Sequence, residues 1–145
     1  MKNVEQILKA KAQHHSVYTI GPDDSVLDAL KLLAEKNVGA LPVVQNDQVV
    51  GIVSERDYAR KLVLKGRSSP FTKVHEIMSA PVITVEPKQN LEYCMNLMTN
   101  RHLRHLPVVD NGQLLGLLSI GDLVKETIAE QANLILQLEQ YIRGE

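Results

Sequence analysis

ALPVVQNDQVVGIVSERD (40–57) and HLPVVDNGQLLGLLSIGD (105–122) are two versions of one pattern, and this pattern indicates the class of fold. Each version starts with an apolar run that contains a proline, crosses a polar turn, continues as a second apolar run and ends in G-x-x-S-x-x-D. Runs of this length and composition are typical of buried strands. The turns Gln45-Asn46-Asp47 and Asp110-Asn111-Gly112 indicate that each pair of strands forms a hairpin.

The repeat extends well beyond the hairpins. Residues 17–57 align with 82–122 at a constant offset of 65, with 13 identities in 41 positions. Average residue usage would give about two or three identities by chance. Before the first hairpin, VYTI (17–20) predicts a strand, and DDSVLDALKLLAEKN predicts a helix with an N-cap at its start. Since a further helix is predicted from about Glu55 in one copy and about Ile120 in the other, each copy reads β-α-β-β-α.

Composition excludes several classes of protein. The chain has 145 residues, of which 44% are hydrophobic and only 3% aromatic, so the core must be aliphatic. Lys+Arg total 16 and Asp+Glu total 17, which argues against general binding to nucleic acid or to a membrane surface. We expect a cytoplasmic protein, because neither a signal-peptide core nor a membrane span is evident. Cys94 cannot form an intramolecular disulfide and is predicted to be a small buried hydrophobe.

Helices are also predicted at both ends of the repeated region, over 3–12 and over 123–142. The second of these carries an apolar stripe at helical spacing, made of Ile128, Ala132, Ile135, Leu138 and Ile142. This stripe either packs within the subunit, where 3–12 would dock on the same face, or forms a dimer contact. We predict a loop at His14-His15. The boundaries are 1–70 for the first repeat with its N-terminal helix and 71–145 for the second with its C-terminal helix.

The repeated motifs resemble those of the CBS-domain family, named from cystathionine β-synthase. They are TIGP and TVEP, LPVV, and G-x-x-S-x-x-D, present in order in each copy, with HEIM (75–78) matching a common lead-in to a repeat. The resemblance covers about 17–64 and 82–128. It implies an α/β (α+β) fold of two β-α-β-β-α units paired about a pseudo-twofold axis. It also implies two clefts that in many members bind AMP, ADP, ATP, S-adenosylmethionine or NAD.

The S-x-x-D elements have suitable chemistry for a nucleotide. Ser54 and Asp57, and likewise Ser119 and Asp122, lie where a strand ends and a helix begins. A helix start offers free N–H groups to a phosphate, and an aspartate can accept hydrogen bonds from ribose hydroxyls. The resemblance implies the same roles, with the Asp at ribose and the Ser near phosphate. The same spacing is also a capping box, which would make these residues structural.

Basic residues near these motifs are candidates for phosphate binding. Arg56 lies inside SERD, and the resemblance implies that Arg104 and His105 reach across a cleft toward phosphate. Their counterparts in the first copy are Gly39 and Ala40, so the two clefts should differ in charge. The alternatives are a solvated basic face, or a metal site that uses His102 with His105.

Backbone and apolar groups are predicted to frame the adenine. The candidates are Tyr18 and Thr19 for one cleft, and Met78, Ile83 and Thr84 for the other. Tyr18 and Ile83 occupy matching positions, so stacking on a tyrosine is available in one cleft only. The alternative is that all five residues only pack.

No catalytic motif is found, and the two repeats take up nearly the whole chain, so we predict a protein that is not an enzyme. The predicted function is a regulatory module that binds AMP, ADP, ATP or NAD(H) without a metal and signals to an unidentified target protein. We also predict a homodimer, and neither membrane association nor specific nucleic-acid binding. The competing interpretation is a structural or interaction protein with empty clefts that acts through dimerisation.

Overall fold

The computed structural model describes residues 2–12 and 17–144, so the predicted loop at His14-His15 lies outside the described residues. Contacts divide the chain into two compact units. The first-repeat unit contains residues 17–84 and Val109–Leu115. The second-repeat unit contains the N-terminal helix, Val85–Val108 and the chain from Gly116 onward.

The helix and the hairpin of the first-repeat unit form at the positions that the local sequence predicts. Helix α2 spans Val26–Lys36, and Ser25 caps it by accepting a hydrogen bond from the Asp28 amide. Strands β1 (Ala40–Gln45) and β2 (Gln48–Ser54) pair antiparallel. Between them Asn46 and Asp47 both have positive φ, the backbone of a tight hairpin turn that asparagine and aspartate tolerate. The predicted hairpin is therefore confirmed.

Short helical segments complete this unit. Helix α3 covers Glu55–Asp57 and continues as π-helical turns over Tyr58–Val63. Two 3-10 turns follow at Ser69–Phe71 and Val74–Glu76. Nine buried residues from these elements form one aliphatic core: Val26, Ala29, Leu33, Leu41, Val43, Val53, Leu62, Val74 and Ile77.

The second-repeat unit also has a helix followed by a hairpin, and the helix after the hairpin is much longer. Helix α1, the N-terminal one, spans Val4–Ala12, and α4 spans Leu91–Arg101. Strands β3 (His105–Asp110) and β4 (Gln113–Ser119) form the second hairpin, of which this unit holds residues 105–108 and 116–119. The chain then continues as α5 over Ile120–Arg143, 24 residues long. The residues most deeply buried in this unit are again aliphatic or sulfur-containing: Val4, Val85, Cys94, Leu106, Val108, Leu118 and Leu123.

The strand predicted over 17–20 is reduced to a single bridge. Ile20 donates to the Pro42 carbonyl at 3.1 Å and accepts from the Val44 amide at 2.9 Å, in parallel pairing with Val43. Another rung of this ladder would need an N–H at Pro42, which proline lacks. The second copy has the same single bridge at Val85, whose partner follows a proline in the same way.

Two short segments with the same pattern cover the two hairpins. VEQILKA (4–10) and VHEIMSA (74–80) match at an offset of 70, and their valines and isoleucines are buried. Leu8 contacts Gly116 in the second-repeat unit, whereas Met78 contacts Gly51 in the first-repeat unit. Helix α1 thus packs with the second repeat, whereas the boundaries 1–70 and 71–145 group it with the first. The N-terminal helix therefore belongs to the unit that it contacts and not to the repeat that it precedes in sequence.

Helix α5 leaves the body of its unit after its first three turns. Leu123 is fully buried, but every residue from Gln131 onward is exposed. The apolar stripe is exposed as well, since Ile135 at its centre retains 57% of its accessible surface. The alternative that this stripe packs within the subunit is therefore wrong.

Candidate functional site

The Ser119–Asp122 turn joins β4 to α5 and forms a complete capping box. The Ser119 hydroxyl accepts from the Asp122 amide at 3.2 Å, and Asp122 Oδ2 accepts from the Ser119 amide at 2.8 Å. This reciprocal pair fixes the carboxylate at the helix start. The capping role left open by the sequence is thus confirmed, and a ligand at this turn would meet an already oriented aspartate.

One basic side chain, Lys11, bonds Asp122 directly. Lys11, from the last turn of α1, donates to Asp122 Oδ2 at 2.8 Å and to the Leu117 carbonyl at 2.7 Å. Burial alone would raise the pKa of Asp122, but the hydrogen bond and charge of Lys11, together with the bonds from Ser119, hold it below its ordinary value. The aspartate is therefore ionised at neutral pH.

His105 belongs to the same cluster. Burial lowers the pKa of His105, the positive charges of Lys11 and Arg104 lower it further, and Asp122 opposes them in part. The imidazole is consequently neutral at pH 7. Arg104 is exposed next to it, and its carbonyl accepts from the Ile120 amide at 2.9 Å. The structure therefore brings together four residues proposed from the sequence: Arg104, His105, Ser119 and Asp122.

The Ser54–Asp57 turn of the first-repeat unit has the same capping box with different neighbours. Asp57 Oδ2 accepts from both the amide and the hydroxyl of Ser54 at 3.0 Å. Its Oδ1 accepts from the Ser79 hydroxyl at 3.1 Å and pairs with Lys61 at 3.0 Å. Arg56, also proposed from the sequence, is exposed on the short helix α3. Asp57 is accordingly a buried, fully bonded carboxylate.

The residues proposed to frame adenine differ in burial and in what they pack against. Tyr18 and Met78, predicted for different clefts, pack against the same aliphatic core of the first-repeat unit. The Lys36 ammonium lies 5.1 Å from the centroid of the Tyr18 ring, within cation–π range. Ile83 is half-buried, and Thr19 and Thr84 are exposed. Stacking on Tyr18 is limited to the ring face that Lys36 leaves open.

Three polar residues at these turns were not predicted from the sequence: Lys11, Lys61 and Ser79. Lys61 follows Asp57 by four residues, a spacing that predicts contact on a helix. The Lys61–Asp57 ion pair could therefore have been predicted from the sequence. Ser79 closes VHEIMSA, so the match to VEQILKA would have drawn attention to it. Lys11 precedes Asp122 by 111 residues, and nothing local indicates that contact.

Two further features concern metals and membranes. Within residues 2–12 and 17–144, no three His, Cys, Asp or Glu side chains are grouped so that they could hold a metal ion. Across the same residues, no helix has the length and apolarity needed to span a bilayer.

Cys94 is buried as predicted, and burial raises the pKa of its thiol to about 11.

Comparison with known proteins places the chain among CBS-domain proteins. The CBS domain model matches residues 6–64 and 74–129. CBSX3, a mitochondrial CBS domain-containing protein of Arabidopsis thaliana, is 40% identical over 141 residues, which cover 94% of this chain and 68% of the relative.

Solved structures agree with this assignment. A CBS-domain protein from Burkholderia ambifaria MC40-6 is 57% identical with a TM-score of 0.84, covering 90% of this chain and 96% of its own. CBSX2, solved in complex with AMP, is 30% identical with a TM-score of 0.67, covering 79% and 90% respectively. With both repeats matched by the family model, the chain belongs to the CBS-domain family.

Proposed function

We propose that this chain is a non-enzymatic regulatory module that binds an adenosine-containing ligand (AMP, ADP, ATP or NAD(H)) at its S-x-x-D turns. It would pass the ligand state to a separate target protein, which the sequence does not identify. The observation that carries the proposal is the cluster in the second-repeat unit, where an ionised Asp122 bonds Lys11, and the charges of Asp122, Lys11 and Arg104 all act on His105.

This cluster offers the two kinds of contact that a nucleotide needs. A carboxylate accepts hydrogen bonds from ribose hydroxyls, and cationic side chains with free helix-start amides favour phosphate. Asp122 supplies the first, and Lys11 with Arg104 supplies the second. A bound phosphate would also favour the protonated form of His105. The AMP in the CBSX2 structure supports adenosine as the ligand class.

AMP is expected to raise the melting temperature of the purified chain. A ligand held only by the folded state stabilises it by about 2.7 kcal/mol at a hundredfold excess over its dissociation constant. For a chain of this size that corresponds to roughly 5–10 °C, because each kcal/mol shifts melting by about 2–4 °C. Differential scanning fluorimetry with AMP, ATP and NAD(H), and with GMP as the control for the base, measures this.

If millimolar concentrations of all the adenosine compounds leave the melting temperature unchanged, the regulatory-module proposal fails. If GMP raises it as much as AMP does, the site binds a nucleotide without reading adenine.

The cytoplasm remains our proposed location. Because the relative CBSX3 is mitochondrial, fluorescence microscopy of a tagged chain is the direct check.

The second candidate function is assembly, which the exposed stripe on α5 favours. The stripe is symmetric about Ile135: Ala132 and Leu138 lie three residues away on either side, and Ile128 and Ile142 seven residues away. Two antiparallel copies of α5 would therefore place matching apolar residues opposite each other, which a twofold contact requires. We propose that this face forms the contact in a homodimer.

Ile135→Glu is expected to weaken that dimer by at least roughly tenfold in dissociation constant, because the central contact would bury a charge without a partner. Light scattering and sedimentation equilibrium should give about twice 16.2 kDa for the wild type and a shift toward 16.2 kDa for the variant. Gln137→Glu, on the other side of the helix, is the control and should leave the mass unchanged. A wild-type monomer at tens of micromolar, or a variant that stays dimeric, contradicts this contact.

A further inference from the structure

The two aspartates of the S-x-x-D turns are equivalent in sequence but differ in the groups that already bind them. A carboxylate offers about four lone-pair sites. The Asp57 carboxylate accepts three hydrogen bonds, from the Ser54 amide and hydroxyl on Oδ2 and from the Ser79 hydroxyl on Oδ1, and the Lys61 ammonium is ion-paired with Oδ1. Only 10% of the Asp57 side chain is accessible to solvent. A ribose hydroxyl could bond there only by displacing one of these groups.

Asp122 retains room for a ligand. Its Oδ2 accepts from the Ser119 amide and from Lys11, whereas its Oδ1 has no hydrogen-bond donor among residues 2–12 and 17–144. The side chain is 24% accessible. A ribose hydroxyl can therefore bond Oδ1 while the capping box and Lys11 remain in place.

The difference originates in the two segments that cover the hairpins. Ser79 pairs with Ile52 through two backbone hydrogen bonds of 2.8 and 3.1 Å, which hold its hydroxyl against Asp57. In the matching segment Lys9 replaces Ser79, and its ammonium pairs with Glu5 on its own helix. Asp122 consequently has no counterpart of the Ser79 hydroxyl from that segment.

We propose that Ser79 acts as a built-in substitute for a ribose hydroxyl, so that the Asp57 turn is occupied by the protein itself and the adenosine ligand binds at the Asp122 turn. The inference rests on the proposed function, since it assigns the ligand to one of the two turns. It makes Ser79 a residue that sets the number of ligands per chain. Removing its hydroxyl frees an acceptor on Asp57 and opens the second site.

Calorimetric titration with AMP tests this assignment. The wild type should bind one AMP per chain, and Ser79→Ala should bind two. Ser79→Thr, which keeps a hydroxyl, and Ser68→Ala, which removes one from an exposed loop, should both remain at one. Because Ser79 is exposed overall and its backbone bonds do not depend on its side chain, the alanine variant should fold, which circular dichroism checks.

Asp122→Ala separates the two turns in the same assay. It should abolish AMP binding in the wild-type background and leave one site in the Ser79→Ala background. Two sites in the wild type, one site in Ser79→Ala, or AMP binding that survives Asp122→Ala in the wild-type background would each overturn the assignment while leaving the proposed function intact. If AMP, ATP and NAD(H) all fail to bind the wild type and every variant, the proposed function fails, and the assignment with it.

Discussion

Replacing Ile7 by alanine is expected to destabilise the fold by about 2–5 kcal/mol, as much as Ile77→Ala, although Ile7 lies in what resembles an accessory N-terminal helix. Both isoleucines are buried, at matching positions of VEQILKA and VHEIMSA. Truncating a buried isoleucine to alanine removes its transfer free energy and leaves a cavity, which together give losses of that size. Urea denaturation followed by circular dichroism measures the free energy of unfolding.

Val63→Ala is the matched control, because Val63 is about half-exposed and its truncation should cost much less. If Ile7→Ala is as mild as this control, α1 is a dispensable attachment rather than part of the core of the second-repeat unit. Such a result would also remove the basis for placing Lys11 beside Asp122, because Lys11 reaches that aspartate from the last turn of α1.

The hairpins and central helices could be predicted because short stretches of sequence specify them. Asn46-Asp47 suits a tight turn, and Ser25 caps the helix that follows it. The S-x-x-D spacing likewise predicted the capping boxes at Ser54 and Ser119. Each of these features depends on residues at most a few positions apart.

The environment of the two aspartates could not be predicted in the same way. Lys61, four residues after Asp57, has Glu126 as its counterpart in the second copy, and Glu126 pairs with Lys2. Asp122 therefore takes its cation from α1, at a distance in sequence that no local pattern spans. An alignment at the single offset of 65 also hides the match between VEQILKA and VHEIMSA, which are 70 residues apart.

Arg104→Ala is expected to weaken AMP binding on the order of tenfold and adenosine binding very little. An arginine can hold a phosphate through two parallel charge-assisted hydrogen bonds, and adenosine has no phosphate to lose. Hydrogen bonds to charged groups contribute about 1.5–3 kcal/mol, and the exposure of Arg104 favours the lower end of that range. Gly39, at the matching position of the first copy, offers no such group.

The control for this change is Arg101→Ala, which removes a second exposed arginine from the last turn of α4. It should leave both ligands bound as before. Titrations of AMP and adenosine at two salt concentrations complete the test, because the loss caused by Arg104→Ala should shrink at high salt, where charge interactions are already screened. Equal losses for the two ligands would mean that Arg104 shapes the site without reading phosphate. A loss for AMP alone that shrinks with salt would identify Arg104 as the residue that gives this turn its preference for a charged nucleotide over the nucleoside.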